Sequence, residues 1–178
     1  ENTENFQRIA ERNHHSLHEN PYVSYLNSLH SRDAGNENAL AEFQACNEFF
    51  PTIHVRHPLV DQILEILQDG SSKESIILTG HAGDGKSTIA LSVYKKLKGM
   101  SKNQILATPL KKRENVDLDD GSFLVIVKDF SEWSVADRHD LFRELLCQKK
   151  GLFSKKKRLL LISNTGTLLD SICGFGEV

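Results

Sequence analysis

Cysteine is scarce and scattered. Cys46, Cys147 and Cys173 share no C-x-x-C spacing, which argues against a disulfide scaffold or a cysteine-built zinc site. No apolar run reaches membrane length and no signal-peptide pattern is present. A reducing, cytoplasmic setting without a membrane partner is therefore expected. An excess of charge of one sign is missing too: 22 Lys and Arg against 24 Asp and Glu leave −2 at pH 7. No global field draws the chain to nucleic acid or lipid, and DNA is a partner that the charge does not indicate. The 178 residues suit one domain with a real core and a helical extension. The chain starts at Glu1 without Met and stops at Val178 just after a helix-like pattern, so a fragment of a longer protein is expected.

What is present centres on Ser75 to Thr88. The apolar run Ile76–Leu78 reads as a buried strand, then breaks into a glycine-rich turn and a helix-period pattern of Ile89, Val93 and Leu97, closed by Gly99. Gly80, Gly85, Lys86 and Ser87 fill the template G-x-x-x-x-G-K-[ST] in its required strand–loop–helix context. The chemistry explains the residue types. A polyphosphate needs many donors on one small anion, and consecutive backbone amides supply them. Gly80, Gly83 and Gly85 permit backbone angles and close approaches that a Cβ blocks. The main chain of Ala82 and Asp84 completes the cradle, and the helix starting near Lys86 adds free amides and its positive dipole end. Lys86 is expected on the β- and γ-phosphates, Ser87 on Mg2+ and Thr88 on the α-phosphate.

Residues 1 to 50 read as a helical N-terminal extension and 51 to 178 as the nucleotide domain. In the extension His14, His15 and His18 put two imidazoles on one helical face, fewer ligands than a metal site needs. Tyr22, Tyr25, Leu26 and Leu29 mark a helix after Pro21. Another is expected over Glu37 to Phe49, ended by Pro51. An extended piece, Thr52 to His57, leads to Pro58 and a helix with Val60, Ile63, Leu64 and Leu67 on one face. Ile105 to Leu110 reads as a strand, and the charged stretch from Lys111 to Gly121 as a turn-rich connection.

Phe123 to Val127 is the β-branched, apolar run of a strand buried on both faces, and it ends in Lys128-Asp129. An acidic group there can hold Mg2+; the plainer alternative is a turn aspartate. Ser134 with Asp137 opens a further helix carrying Leu141, Phe142, Leu145 and Leu146. The basic run near Lys149 and Lys155–Arg158 reads as a solvated loop. Leu159–Ile162 is another buried strand, ending in Ser163-Asn164, and a helix follows from Thr167.

This succession, over about residues 53 to 173, resembles the additional-strand class of P-loop ATPases, which includes the AAA+ and STAND groups. The resemblance implies a three-layer α/β/α fold with a mainly parallel sheet. It also implies ATP and Mg2+ as ligands, Asp129 as the Walker B carboxylate and Asn164 as the sensor 1 residue. It makes Arg56, His57 and Pro58, before the preceding helix, candidate neighbours of the adenine; the plainer alternative is an ordinary turn before a helix. One departure stands out: many members follow the aspartate with a glutamate that polarises water, whereas this chain has Phe130, leaving Glu132 as the nearest carboxylate. By the resemblance, Glu132 is the substitute for that task if a turn brings it back toward the phosphates. The C-terminal lid of the family has no counterpart here. Gly83-Asp84-Gly85-Lys86, Lys128-Asp129-Phe130-Ser131-Glu132 and Asn164-Thr165-Gly166 are similar to segments of DptF-type ATPases of phosphorothioation-dependent bacterial restriction.

Three function classes follow. The first is an ATPase acting as motor or switch, with a homo-oligomer or partner protein reached through regions outside this chain. The second is a module that binds ATP only for assembly, which Phe130 favours. The third is a small-molecule or nucleotide kinase, for which no arginine-rich lid is visible. A GTPase is disfavoured because neither N-K-x-D nor D-x-x-G occurs.

Overall fold

The computed structural model describes residues 20–29, 40–69, 75–146 and 157–175. The histidine group at 14–18, the break at 31–36, the linker at 70–73 and the lysines at 149–156 lie outside the described residues. The chain divides into two compact units, Glu1–Leu40 and Ala41–Val178. In the first unit, helix α1 (Pro21–Ser28) is capped by Asn20, whose side-chain oxygen accepts the Tyr22 N–H at 3.0 Å.

The second unit opens with two short helices, α2 (Ala41–Gln44) and α3 (Phe50–Ile53), in place of one continuous helix ended by Pro51. Asn47 is the reason. Its side chain accepts the Phe49 N–H at 2.9 Å and its carbonyl accepts the Phe50 N–H at 3.1 Å, a local turn that competes with the helix. Pro51 then falls in the first turn of α3, where a missing N–H costs nothing. Of the expected extended piece, Thr52 and Ile53 belong to α3 instead, and His54 after them takes extended backbone angles.

Helix α4 (Leu59–Gln68) follows Pro58 as its apolar spacing requires, with Val60, Ile63 and Leu67 buried. Strand β1 (Ile76–Leu78) leads through the glycine loop into α5 (Lys86–Leu97). Gly99 ends that helix with φ at 66°; its N–H bonds to Lys96, and the Met100 N–H reaches back to Lys95 at 2.9 Å. After β2 (Arg113–Asp117) come β3 (Phe123–Val127), a 3-10 turn at Phe130–Glu132, α6 (Val135–Leu146), β4 (Lys157–Ile162) and α7 (Thr165–Phe175).

The strands form one sheet in the order β1-β4-β3-β2, with β1, β4 and β3 parallel and β2 antiparallel to β3. Side-chain alternation divides the core. Leu124, Ile126, Leu160 and Ile162 meet Val60, Ile63 and Leu67 of α4 and Ile89, Ala90 and Val93 of α5. Val125, Val127, Leu159 and Leu161 meet Phe130 and Leu141, with Phe142 and Leu168 against them. Helices thus cover both faces of a mostly parallel sheet, which explains its nearly unbroken apolar strands.

Two expectations about the middle of the chain change. No strand lies at 105–110 among the described residues: Leu106 and Leu110 are buried with Ala45 and Phe50, and the Leu106 N–H bonds to the Ala45 carbonyl at 2.9 Å. The strand is instead at Arg113–Asp117, where a turn was expected. It is an edge strand with only Val116 buried, and so lacks an apolar run. No described helix is long and apolar enough to cross a membrane.

Candidate functional site

The carboxyl ends of β1, β4 and β3 lie side by side. Leu78 pairs with Ile162, Val127 pairs with Leu161, and the Ser163 N–H donates to the Leu78 carbonyl at 3.1 Å. Continuing that register puts Thr79, Ser163 and Asp129 at one level. The loop start and Asp129 are then two strand spacings apart, about 10 Å. Open α/β sheets bind ligands at this edge.

The loop curls back on itself. Gly83 and Gly85 take φ of 88° and 77°, the left-handed region closed to most side chains. Gly80 takes φ of 155°, which L side chains rarely adopt, and a Cβ there would also displace the Asp84 carboxylate, whose oxygen stands 2.5 Å from the place it would fill. That carboxylate accepts the His81 N–H at 2.6 Å, and the Asp84 N–H returns to the His81 carbonyl at 3.3 Å. The Lys86 ammonium folds over the loop, donating to the Gly80 carbonyl at 3.0 Å and to the His81 carbonyl. The main-chain amides of Ala82, Gly83, Gly85, Lys86, Ser87 and Thr88 have no acceptor among the described residues. A helix start leaves such groups open. Together with the ammonium and the Ser87 hydroxyl, they form a donor set suited to an anion.

Asp129 follows β3 with φ at 52°, the one positive value among described non-glycine residues. This bend turns the next residue inward: Phe130 is fully buried, edge-on to Phe142 at 5.6 Å. Burial raises the Asp129 pKa above the ordinary carboxylate value. Lys128 opposes the shift, and Glu42 and Glu132 add to it. The Lys128 ammonium lies 3.5 Å from the Asp129 carboxylate and is paired with Glu42 in the interior.

The remaining candidates have local partners. Glu132 donates its N–H to the Asp129 carbonyl at 2.8 Å, but its carboxylate pairs with Lys112 at 3.0 Å. Lys112 precedes β2, the edge strand farthest from β1, so this pairing draws the Glu132 carboxylate toward β2 and away from the loop strand. Asn164 caps α7, its side-chain oxygen accepting the Thr167 N–H at 2.7 Å; its amide group is exposed beside the loop strand. Arg56 pairs with Asp61, and the His57 ring accepts the Leu59 N–H at 3.1 Å. Both therefore serve the start of α4.

Some residues were missed from the sequence. The Ser92 hydroxyl donates to the Thr88 carbonyl at 2.8 Å and lies 3.2 Å from His54 Nε2. Its single proton is thus used, and the ring nitrogen must be the donor. Burial, then Lys95 and Lys102, lower the His54 pKa. The segment before α4 is tied in this way to the helix that carries Lys86. Lys128 carries no sequence signal beyond ending an apolar run, although a cation buried in that position needs a carboxylate partner. Glu42 carried no local signal, lying 86 residues away.

Comparisons with protein-family models, curated proteins and solved structures found no match.

Proposed function

We propose that this chain is a P-loop nucleotide-binding domain for ATP with Mg2+, and that it hydrolyses ATP as a conformational switch. The observation that carries the reading is the curled Gly80–Ser87 loop, with open amides and the Lys86 ammonium folded onto its carbonyls. In this reading Lys86 leaves the Gly80 and His81 carbonyls for the β- and γ-phosphate oxygens, while the Ala82–Thr88 amides wrap the polyphosphate. Ser87 and Asp129 would hold Mg2+, whose charge offsets that of the phosphates. The oxygen donors fit a hard cation, and the separation of loop and Asp129 leaves room for bridging water. Asn164 keeps its amide N–H groups for the γ-phosphate or the attacking water.

The strand order supports the resemblance to additional-strand P-loop ATPases, because β4 lies between β1 and β3. A role in DNA restriction or other antiviral defence rests on the short DptF-like segments alone.

A second reading, an ATP-dependent assembly module without turnover, is favoured by one observation: Phe130 is core and Glu132 is bound to Lys112. Phosphate release from ATP, measured with and without Mg2+ for the parent and Lys86→Ala, tests the first reading. Release that depends on both Lys86 and Mg2+ is expected. Binding that depends on Lys86 without release establishes the assembly module, and release unchanged in Lys86→Ala overturns the ATPase.

A further inference from the structure

Lys128 is buried at 4 % exposure between two carboxylates, paired with Glu42 and 3.5 Å from Asp129. An ammonium this deep requires a fixed counter-charge, and Glu42, itself buried at 7 %, supplies it. The contacts are unequal: the Glu42 carboxylate accepts a hydrogen bond from the ammonium, whereas Asp129, at 3.5 Å, stands beyond ordinary hydrogen-bond length. From this inequality we infer that Glu42 is a positioning residue for the Mg2+ site: it holds the Lys128 ammonium back from Asp129 and leaves that carboxylate free for the cation. The inference rests on the reading of Asp129 as the Mg2+ carboxylate.

The physical argument is competition. One carboxylate cannot fully serve both an ammonium and a divalent cation, and the loser's share falls as the winner's contact tightens. Removing the charge of Glu42 leaves Asp129 as the nearest anion to Lys128. The ammonium then pairs with Asp129 fully and presents positive charge to the incoming cation. Glu42 lies in α2, at the start of the second compact unit. A displacement of α2 would thus reach Asp129 directly through one side chain.

The test is a calorimetric titration of ATP at stepped Mg2+ concentrations. The Mg2+ concentration for half-maximal gain in ATP affinity should rise at least about tenfold in Glu42→Gln, the loss of about 1.4 kcal/mol of cation binding. Affinity without Mg2+ should change little. Glu42→Asp should recover part of the effect. Because Glu42→Gln leaves a buried ammonium and can fail to fold, the double variant Glu42→Leu with Lys128→Met is measured alongside; replacing both charges by apolar groups is well tolerated. It should return the Mg2+ requirement to the parent value or below. A midpoint in Glu42→Gln equal to the parent, or one equally raised in the double variant, overturns the inference while leaving the Mg2+ role of Asp129 intact. A parent whose ATP affinity ignores Mg2+, or keeps its Mg2+ dependence in Asp129→Asn, overturns both.

Discussion

A Cβ on Gly80 would stand 2.5 Å from the Asp84 carboxylate oxygen, the same oxygen that accepts the His81 N–H at 2.6 Å. The start of the loop thus joins three residues, and the φ of 155° at Gly80 disfavours any side chain there. Gly80→Ala should push the Asp84 carboxylate off the His81 amide and destabilise the fold by about 1–2 kcal/mol. ATP affinity should fall at least as much as stability. Thermal melting and calorimetry check both; a variant that melts and binds like the parent would show that the loop does not need this contact.

Asp129 combines a burial-raised pKa with a left-handed backbone. A carboxyl whose folded pKa is raised contributes stability below its unfolded value and loses it as pH rises through the folded value. At neutral pH its charge is therefore a liability in the absence of a cation. Asp129→Asn removes that charge and retains a residue tolerant of the left-handed region. It should melt at or above the parent temperature, while losing the Mg2+-dependent part of ATP affinity. A lower melting temperature would indicate that the charge stabilises the fold through Lys128 instead.

Glu132 is the site candidate whose present partner conflicts with its expected task. If it turns toward the phosphates during turnover, releasing it from Lys112 should help. Lys112→Met should raise the rate of phosphate release severalfold, and Glu132→Gln should abolish release while keeping ATP affinity. Equal rates in all three proteins would remove Glu132 from the water-polarising role.

Glu144 fastens α6 to two strands. It accepts both Arg113 guanidinium nitrogens at 2.8 and 2.9 Å and pairs with Lys157 at the start of β4. These cations hold its pKa down to about 2. A depressed carboxylate contributes stability above its unfolded pKa, about 4.3, and loses it as pH falls through the folded value. The side chain is 39 % exposed and screened by solvent, so Glu144→Gln should cost about 1 kcal/mol at pH 7. That deficit should vanish as the pH is lowered from about 4 to about 2, as followed by denaturant melts. A deficit independent of pH would assign the loss to packing.

The parts of this molecule that could be read from sequence are those where a residue's task is set by its near neighbours. The apolar runs of β3 and β4 form buried strands as read, and the spacing of Val60, Ile63 and Leu67 buries as a helix. The run at Ile76–Leu78 is a strand too, but as the edge strand β1 it is only partly buried, with Ile77 exposed. Ser134 and Asp137 cap α6 as read, with the Asp137 N–H on the Ser134 hydroxyl at 3.1 Å. The strand–loop–helix course around the glycines belongs here too, since its residues are contiguous. Illegible parts depend on distant partners. Strand β2 is polar because one face of an edge strand meets water, and it is defined by pairing with β3. Strand β4 begins at Lys157, ahead of its apolar run. Its Arg158 is buried because it donates to the Leu67 carbonyl and pairs with Asp120 at 2.6 Å. The Glu42–Lys128 pair spans most of the second unit and could be found only in three dimensions.

The most direct measurement is the amide spectrum of the loop during titration with ATP and Mg2+. Shifts should centre on Ala82, Gly83 and Gly85 through Thr88, extend to Asp129 and Asn164, and disappear in Lys86→Ala at the same ATP concentration. An unperturbed loop at saturating ATP, or identical shifts in Lys86→Ala, would contradict the account.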